Sequence, residues 1–190
     1  MTRPKALLFD CFGLFAPDPM VNFFTKKLGH ATLEVKDRYC SPGDLGEVTL
    51  GEILDAMERD LGVNKAEVLA YFDGLLVPDK AMISYALSLK EKYRVCLVSN
   101  CMDGIMEQVF GNTDFFSCFD RLYLSYRIKR IKPNADYFEY VLNDLGSKPE
   151  EVLFVDDNPD NVAAAGKLGI PHYLFVSLDD LKAEFARRGL

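Results

Sequence analysis

The chain has 190 residues, of which 49% are hydrophobic and 27% are charged, and its formal net charge is −7. This length and composition are typical of one globular domain, or of a core with a modest insertion. The negative charge argues against a nucleic-acid-binding protein, because a phosphate backbone is bound by basic surfaces.

The first predicted strand is the short apolar run Ala6–Phe9. The stretch after it differs from the rest of the chain, because three predicted helices follow before the next strand. These helices are expected at residues 21–28, 50–61 and 64–72. An all-helical insertion at this point predicts a cap, residues 16–79, over one edge of a core formed by residues 1–15 and 80–190.

The remainder of the chain alternates between predicted helices and strands. Four further strands are expected, each a short apolar run, at residues 95–98, 121–124, 152–155 and 173–176. Helices are expected around residues 80–91, 137–145 and 162–168, where apolar residues recur on one helical face. This alternation predicts an α/β fold with a parallel sheet that is covered by helices on both sides.

Polar side chains directly follow three of the predicted strands. Asp10 follows the first strand, Ser99 and Asn100 end the second, and Asp156 and Asp157 end the fourth. The carboxyl ends of parallel strands meet at one edge of a sheet, so these side chains should converge. Clustered carboxylates repel one another unless a cation intervenes, and Mg²⁺ prefers oxygen ligands. The sequence therefore predicts a magnesium site.

A lysine and a second helix start are expected near the same edge. Lys132 precedes Pro133, which can occupy the first position of a helix. Next to a carboxylate cluster, Lys132 is a candidate partner for those acids. Asn158 and Pro159 are typical of a helix N-cap and first helical position, and we expect both to be structural.

Four motifs occur in order along the chain: FDCFG, VSN, IKP and FVDDNPDNVAAAG. Together they resemble those of the haloacid dehalogenase superfamily, whose hydrolases have a Rossmann-like core and an aspartate nucleophile. The likeness covers residues 5–15 and 80–190. From LYLS to DDNPDNVAAAGKLGI, the chain is most similar to the branch with glucose-1-phosphate phosphatases and the phosphatase domain of soluble epoxide hydrolase. The resemblance implies an Mg²⁺-dependent phosphatase of a small phosphorylated metabolite, such as a sugar phosphate.

The resemblance also assigns catalytic roles to residues of this chain. Asp10 would attack phosphorus and form an aspartyl-phosphate. Ser99 and Asn100 would bind the phosphoryl oxygens, and Lys132 would neutralise both the nucleophile and the transferring group. The implied Mg²⁺ ligands are Asp10, the backbone carbonyl of Phe12, Asp156 and, directly or through water, Asp157.

Position 12 departs from the pattern of the phosphatases in this superfamily. They usually carry a second aspartate two residues after the nucleophile, which acts as general acid and base. Phe12 cannot transfer a proton, although its backbone carbonyl can still bind Mg²⁺. Loss of general acid–base catalysis typically slows a reaction by about 10²–10⁴-fold. Slow turnover is therefore expected, unless the leaving group is good or a cap residue or the substrate supplies the proton.

Two other functions remain open on the sequence. A catalytically silent protein could keep the Mg²⁺ and phosphate site for binding alone, and Phe12 favours this alternative. A 2-haloacid dehalogenase-like hydrolase is the second, since those enzymes carry an aromatic residue at this position. However, they have serines where this chain has Asp156 and Asp157, and they need no metal.

The cysteines and the N-terminal segment bear on the cellular compartment. The five cysteines form no C-x-x-C pair, so we expect reduced thiols and a cytoplasmic protein. The N-terminal apolar run is too short for a signal peptide or a membrane span. A small phosphorylated substrate is the expected partner, without nucleic acid or membrane, and the chain could be a monomer or a homodimer.

Overall fold

The strands of the computed structural model, which describes residues 3–29, 36–75 and 77–190, form one parallel sheet. They are β1 (Ala6–Phe9), β2 (Arg94–Ser99), β3 (Arg121–Leu124), β4 (Val152–Asp156) and β5 (His172–Leu174). Their order across the sheet is β3-β2-β1-β4-β5, with every neighbouring pair parallel. The predicted Rossmann-like α/β fold is confirmed, and β1, which carries Asp10 at its end, is the central strand.

The central strand β1 is an apolar run, and so is its neighbour β4 up to Asp156. All residues of β1 and β4 are buried, as expected for strands covered on both faces. β1 and β3 have the predicted bounds. The prediction for the last strand was wrong, because β5 begins at His172 and ends at Leu174. Val176 is 74% exposed and lies beyond the sheet, so its β-branched side chain alone did not place it in a strand.

Alternate side chains of the central strands pack into two separate apolar clusters. Leu7 and Phe9 of β1 belong to the larger cluster, whereas Ala6 and Leu8 belong to the smaller one. Successive side chains of a strand point to opposite faces, so the two clusters cover the two sides of the sheet. Because helices cover both sides of the sheet, a ligand site is expected at its carboxyl edge.

The described elements between β1 and β2 are helical. They are α1 (Pro19–Asn22), which continues as a π-helical turn at Phe23–Lys27, a π-helical turn at Lys36–Cys40, α2 (Ser41–Asp44), α3 (Leu50–Leu61), α4 (Lys65–Leu75) and α5 (Lys80–Leu89). α3 has the predicted bounds because Thr49 and Glu52 form a capping box at its start and Gly62 ends it. The division of the chain into a cap at 16–79 and a core remains a prediction.

The remaining helices alternate with the strands. They are α6 (Ile105–Phe110), α7 (Ser125–Ile128), α8 (Ala135–Leu145), α9 (Pro159–Lys167) and α10 (Leu178–Arg188). α9 begins as predicted, with Asn158 as N-cap and Pro159 at the first position. The helix start at Pro133 was wrong: α8 begins two residues later, behind Asn134. In the described ranges, no helix has both the length and the apolar character needed to cross a membrane.

Candidate active site

Asp10 stands at the end of the central strand with its carboxylate held in place. Its backbone N–H donates to the carbonyl of Val155 at 2.9 Å, which continues the pairing of β1 with β4. Its Oδ1 atom accepts a hydrogen bond of 2.7 Å from the backbone N–H of Cys11. Only 9% of the residue is exposed. The sheet therefore orients this carboxylate at the carboxyl edge, as the sequence predicted.

Lys132 joins Asp10 to the neighbouring strand end. Its Nζ atom lies 2.8 Å from Oδ1 of Asp10 and 2.6 Å from Oδ2 of Asp156. The backbone of Lys132 is fixed by Asn100, whose side-chain amide donates to the Lys132 carbonyl and accepts from its N–H, at 2.8 and 2.9 Å. Asn100 thus positions the lysine from the end of β2.

Asp156 is completely buried at the end of β4 and makes several hydrogen bonds. Its Oδ1 atom accepts from the backbone N–H of Asn158 at 2.8 Å. The Nδ2 atom of Asn161 lies 3.1 Å from Oδ1 and 3.0 Å from Oδ2. Sequence reasoning missed Asn161. The signal was its place in the first turn of α9, five residues after Asp156, where the side chain can reach back to the strand end.

The third carboxylate, Asp157, completes the group. One oxygen from each of Asp10, Asp156 and Asp157 lies within 4.8 Å of the others. Gly13 faces Asp157 with a φ of +91°, and a Cβ atom at this position would collide with the Asp157 carboxylate. Both its backbone conformation and its lack of a side chain are therefore required. Gly13 was also missed at the sequence level, although it closes the FDCFG motif.

The charges of this group leave an excess that suits a divalent cation. With all three carboxylates ionised, they and the ammonium group of Lys132 carry a net charge of −2. Burial, and then the charge of Asp156, raise the pKa of Asp10, although Lys132 opposes them. Burial alone would lower the pKa of Lys132, but Asp10 and Asp156 outweigh it and raise that pKa, so the lysine stays charged. The oxygen donors and the charge of −2 both fit Mg²⁺.

Two cavities meet beside this group. The nucleophile cavity, named after Asp10 as the predicted nucleophile, has a volume of about 240 Å³ and is lined by Asp10, Lys132 and Asp157 among others. The side cavity, of about 280 Å³, extends to apolar residues that include Met20 and Ile105. Six residues line both cavities: Phe12, Asp18, Asn100, Lys132, Asn158 and Asn161. A group bound at Asp10 can therefore carry a larger substituent into the side cavity.

Ser99 and Phe12, both predicted from the sequence to be site residues, differ in their positions relative to the two cavities. Ser99 is fully buried, and its hydroxyl donates to the carbonyl of Asn100 at 3.4 Å. Ser99 lines neither of the two cavities. Its contact with phosphate stays a prediction, as does the metal contact of the Phe12 carbonyl. The Phe12 side chain is 9% exposed and forms a wall shared by both cavities.

Comparisons with known proteins identify the relatives of this chain. The family model of haloacid dehalogenase-like hydrolases matches residues 24–169. The D-ribitol-5-phosphate phosphatase of Bacteroides thetaiotaomicron is 29% identical over 188 residues, which span 87% of this chain and 88% of that protein. The drimenol cyclase of Aspergillus calidoustus is 36% identical over 104 residues. That match spans 51% of this chain but only 20% of the longer relative.

Solved structures agree with these sequence relatives. A haloacid dehalogenase-family enzyme from Bacteroides thetaiotaomicron, in complex with magnesium, superimposes with a TM-score of 0.80 at 28% identity. The match covers 97% of this chain and 99% of that one. The same enzyme in complex with magnesium and inorganic phosphate gives a TM-score of 0.73 at 29% identity, covering 90% and 93% of the two chains.

Proposed function

The chain belongs to the haloacid dehalogenase-like hydrolases, and from that premise we propose that it is an Mg²⁺-dependent phosphatase with Asp10 as its nucleophile. The observation that carries this proposal is the buried bridge formed by Lys132 between Asp10 and Asp156, with Asp157 beside it. Phosphoryl transfer needs positioning and charge neutralisation around an in-line attack, and this group of side chains offers both. A structural relative that binds magnesium and inorganic phosphate supports the same chemistry.

In the proposed reaction, Asp10 attacks phosphorus and becomes an aspartyl-phosphate, which water then hydrolyses. The Oδ1 atom of Asp10 is held by Cys11 and Lys132, which leaves Oδ2 for the attack. Lys132 offsets negative charge on the nucleophile and on the transferring group. Mg²⁺, held by Asp10, Asp156, Asp157 and the Phe12 carbonyl, would supply further positive charge for the phosphoryl oxygens.

The side cavity restricts the charge of the substrate's leaving group. Its described lining contains three aspartates, Asp18, Asp44 and Asp160, while Lys132 is its sole basic residue. Lys132 is already committed to Asp10 and Asp156. A second phosphate or a carboxylate on the leaving group would therefore meet repulsion. We propose a monoester whose leaving group is uncharged, a class that includes the sugar phosphates and polyol phosphates as well as phosphates of apolar alcohols.

One assay distinguishes this function from the two alternatives. The protein is given a panel of phosphate monoesters and 2-haloacids, each with Mg²⁺ and with a chelator. The proposal expects phosphate release that requires Mg²⁺ and is lost in Asp10→Asn. The matched control is Asp79→Asn, at the N-cap of α5, which should retain activity.

Each alternative makes a different prediction in the same assay. Halide release that is indifferent to the chelator would overturn the phosphatase in favour of a dehalogenase. No turnover of any ester, together with retained binding of inorganic phosphate in the presence of Mg²⁺, would overturn it in favour of a binding protein. Phe12 is the feature that favours this last alternative, because it removes the usual proton donor from position 12.

A further inference from the structure

The leaving group of a phosphate monoester needs a proton, and position 12 does not provide one. An alcohol leaves as a strongly basic alkoxide unless an acid protonates it during the transfer. Such an acid has to reach the oxygen between phosphorus and the leaving group. In this molecule, that oxygen would lie where the nucleophile cavity meets the side cavity, because the phosphoryl group binds at Asp10 and the substituent extends away from it.

One aspartate stands at that junction. Asp18, Asp44 and Asp160 all line the side cavity. Of these three, only Asp18 also lines the nucleophile cavity, together with Asp10. Asp44 and Asp160 border the space for the substituent alone. In the described part of the chain, Asp18 is therefore the one carboxylate that lines both cavities.

The loop after the nucleophile explains how a residue eight positions further along reaches this place. The backbone N–H of Gly13 donates to the carbonyl of Ala16 at 2.7 Å, and that of Phe15 donates to the carbonyl of Cys11 at 2.8 Å. Phe12 and Ala16 form a bridge between their backbones. The chain thus turns back on itself, and Asp18 follows only two residues after the partner of Phe12.

Asp18 is also fixed where it stands. As N-cap of α1, it accepts a hydrogen bond from the backbone N–H of Val21 at Oδ1, with a length of 2.8 Å. Its backbone carbonyl accepts from the side chain of Asn22 at 2.8 Å. The residue is half-buried between the two cavities. A capped helix start therefore holds the carboxyl group at the junction of the cavities.

We infer that Asp18 is the general acid and base of the reaction, in the role that Phe12 cannot fill. This inference rests on the proposed phosphatase function. In the first step, Asp10 forms a bond to phosphorus, the bond to the leaving oxygen breaks, and that oxygen takes the proton of the Asp18 carboxyl group. In the second step, the oxygen of a water molecule bonds to phosphorus while Asp18 accepts a proton from that water. The bond between the Asp10 oxygen and phosphorus breaks, which regenerates the Asp10 carboxylate and releases inorganic phosphate.

Leaving-group dependence in Asp18→Asn tests this assignment. For butyl phosphate, whose alkoxide needs a proton, kcat/KM should fall by about 10²–10⁴-fold. For p-nitrophenyl phosphate, whose phenolate leaves without a proton, kcat/KM should change by less than about tenfold, since it reports only the first transfer step. Asparagine caps helices as well as aspartate does, so α1 keeps its start. Asp79→Asn, the same change at the N-cap of α5, is the control for both esters and for thermal stability.

A double variant adds a second test. Phe12→Asp in the Asp18→Asn background returns a carboxyl group to the usual position, and butyl phosphate hydrolysis should recover by at least about tenfold. Equal losses for the two esters in Asp18→Asn, or no loss for either, would overturn the role of Asp18 while leaving the phosphatase intact. A wild-type protein that hydrolyses neither ester under any metal condition would instead overturn the proposed function, and this inference with it.

Discussion

The Nζ atom of Lys132 lies 2.8 Å from Oδ1 of Asp10, and both side chains are almost entirely removed from solvent. Removing a partner from a buried ion pair leaves an uncompensated charge, which typically costs about 3–5 kcal/mol. We therefore expect Lys132→Met to lower the free energy of unfolding by about that amount, measured by urea denaturation with a chelator present. Lys5→Met, which removes an exposed pair with Glu151, should have a much smaller effect, because exposed ion pairs contribute little to stability. Equal losses in the two variants would contradict the charge balance described for the site.

Mg²⁺ should stabilise the folded chain even without a substrate. A ligand that binds only the folded state at 100 times its Kd adds about 2.7 kcal/mol to the free energy of unfolding. The thermal midpoint should therefore rise with Mg²⁺, and Asp157→Asn should weaken the rise by removing one ligand oxygen and one charge. Asp179→Asn, an exposed position in the first turn of α10, is the control and should keep the full shift. An identical shift with sodium at matched ionic strength would argue for general screening in place of a site.

Gly13 should tolerate no side chain. Gly13→Ala introduces a Cβ atom that collides with the Asp157 carboxylate, at a φ of +91° that already disfavours alanine. We expect loss of the Mg²⁺-dependent rise in thermal midpoint as well as lower stability. Gly62→Ala measures the cost of a positive φ alone, because Gly62 has a φ of +67° but open space around the added atom. It should lower stability by about 1 kcal/mol and leave the Mg²⁺ response unchanged. A full Mg²⁺ response in Gly13→Ala would contradict the proposed packing.

The buried thiol of Cys96 should make stability fall at alkaline pH. Burial raises the pKa of Cys96 from 9.0 to about 12 in the folded chain. Between these values the unfolded chain loses the proton and the folded chain keeps it, so the stability present below pH 9 is lost as pH rises. One such group contributes a slope of up to about 1.4 kcal/mol per pH unit. Urea denaturation at several pH values should show a shallower decline for Cys96→Ala, and equal slopes would contradict this assignment.

The charge of the leaving group offers a prediction on specificity. Asp44 and Asp160 line the side cavity, which receives the substituent, and Lys132 is its sole basic residue in the described part of the chain. An alkyl or polyol monophosphate should therefore have a kcat/KM at least about tenfold higher than a bisphosphate of the same skeleton, since like charges in a cavity repel. The difference should shrink in Asp44→Asn. A preference for bisphosphates would show that the proposed substrate class is wrong.

Local patterns predicted those parts of the fold that depend on a short apolar run or on capping residues next to a helix. β1 has the expected bounds because all four of its residues are apolar and buried, and β3 has them although Arg121, its first residue, is exposed. α3 also has the expected bounds, because the residues of its capping box and its terminal glycine stand at the ends of the helix in the sequence. β5 and α8 differ from prediction since Val176 and Pro133 satisfy local preferences, while the tertiary packing places both outside those elements.

The candidate site also has residues that sequence patterns locate and contacts that depend on tertiary packing. The carboxylates at the strand ends could be found because parallel strands bring their ends together. The contacts of Asn161, Gly13 and Asp18 could not, because each contact depends on three-dimensional packing. Asn161 reaches back from a helix, Gly13 leaves room for Asp157, and Asp18 arrives by a loop that turns beside Phe12. Asn161 lies five residues after Asp156 and Gly13 closes the FDCFG motif, so the sequence shows where these two residues are but not what they contact.

The stereochemical course at phosphorus tests the role of Asp10 most directly. A phosphorothioate ester made chiral at phosphorus with oxygen isotopes is hydrolysed in water that carries a third oxygen isotope, and the configuration of the released inorganic thiophosphate is determined. Attack by Asp10 followed by attack of water gives two in-line displacements, so retention of configuration is expected. Inversion, which signals direct attack by water in a single displacement, would contradict an aspartyl-phosphate at Asp10.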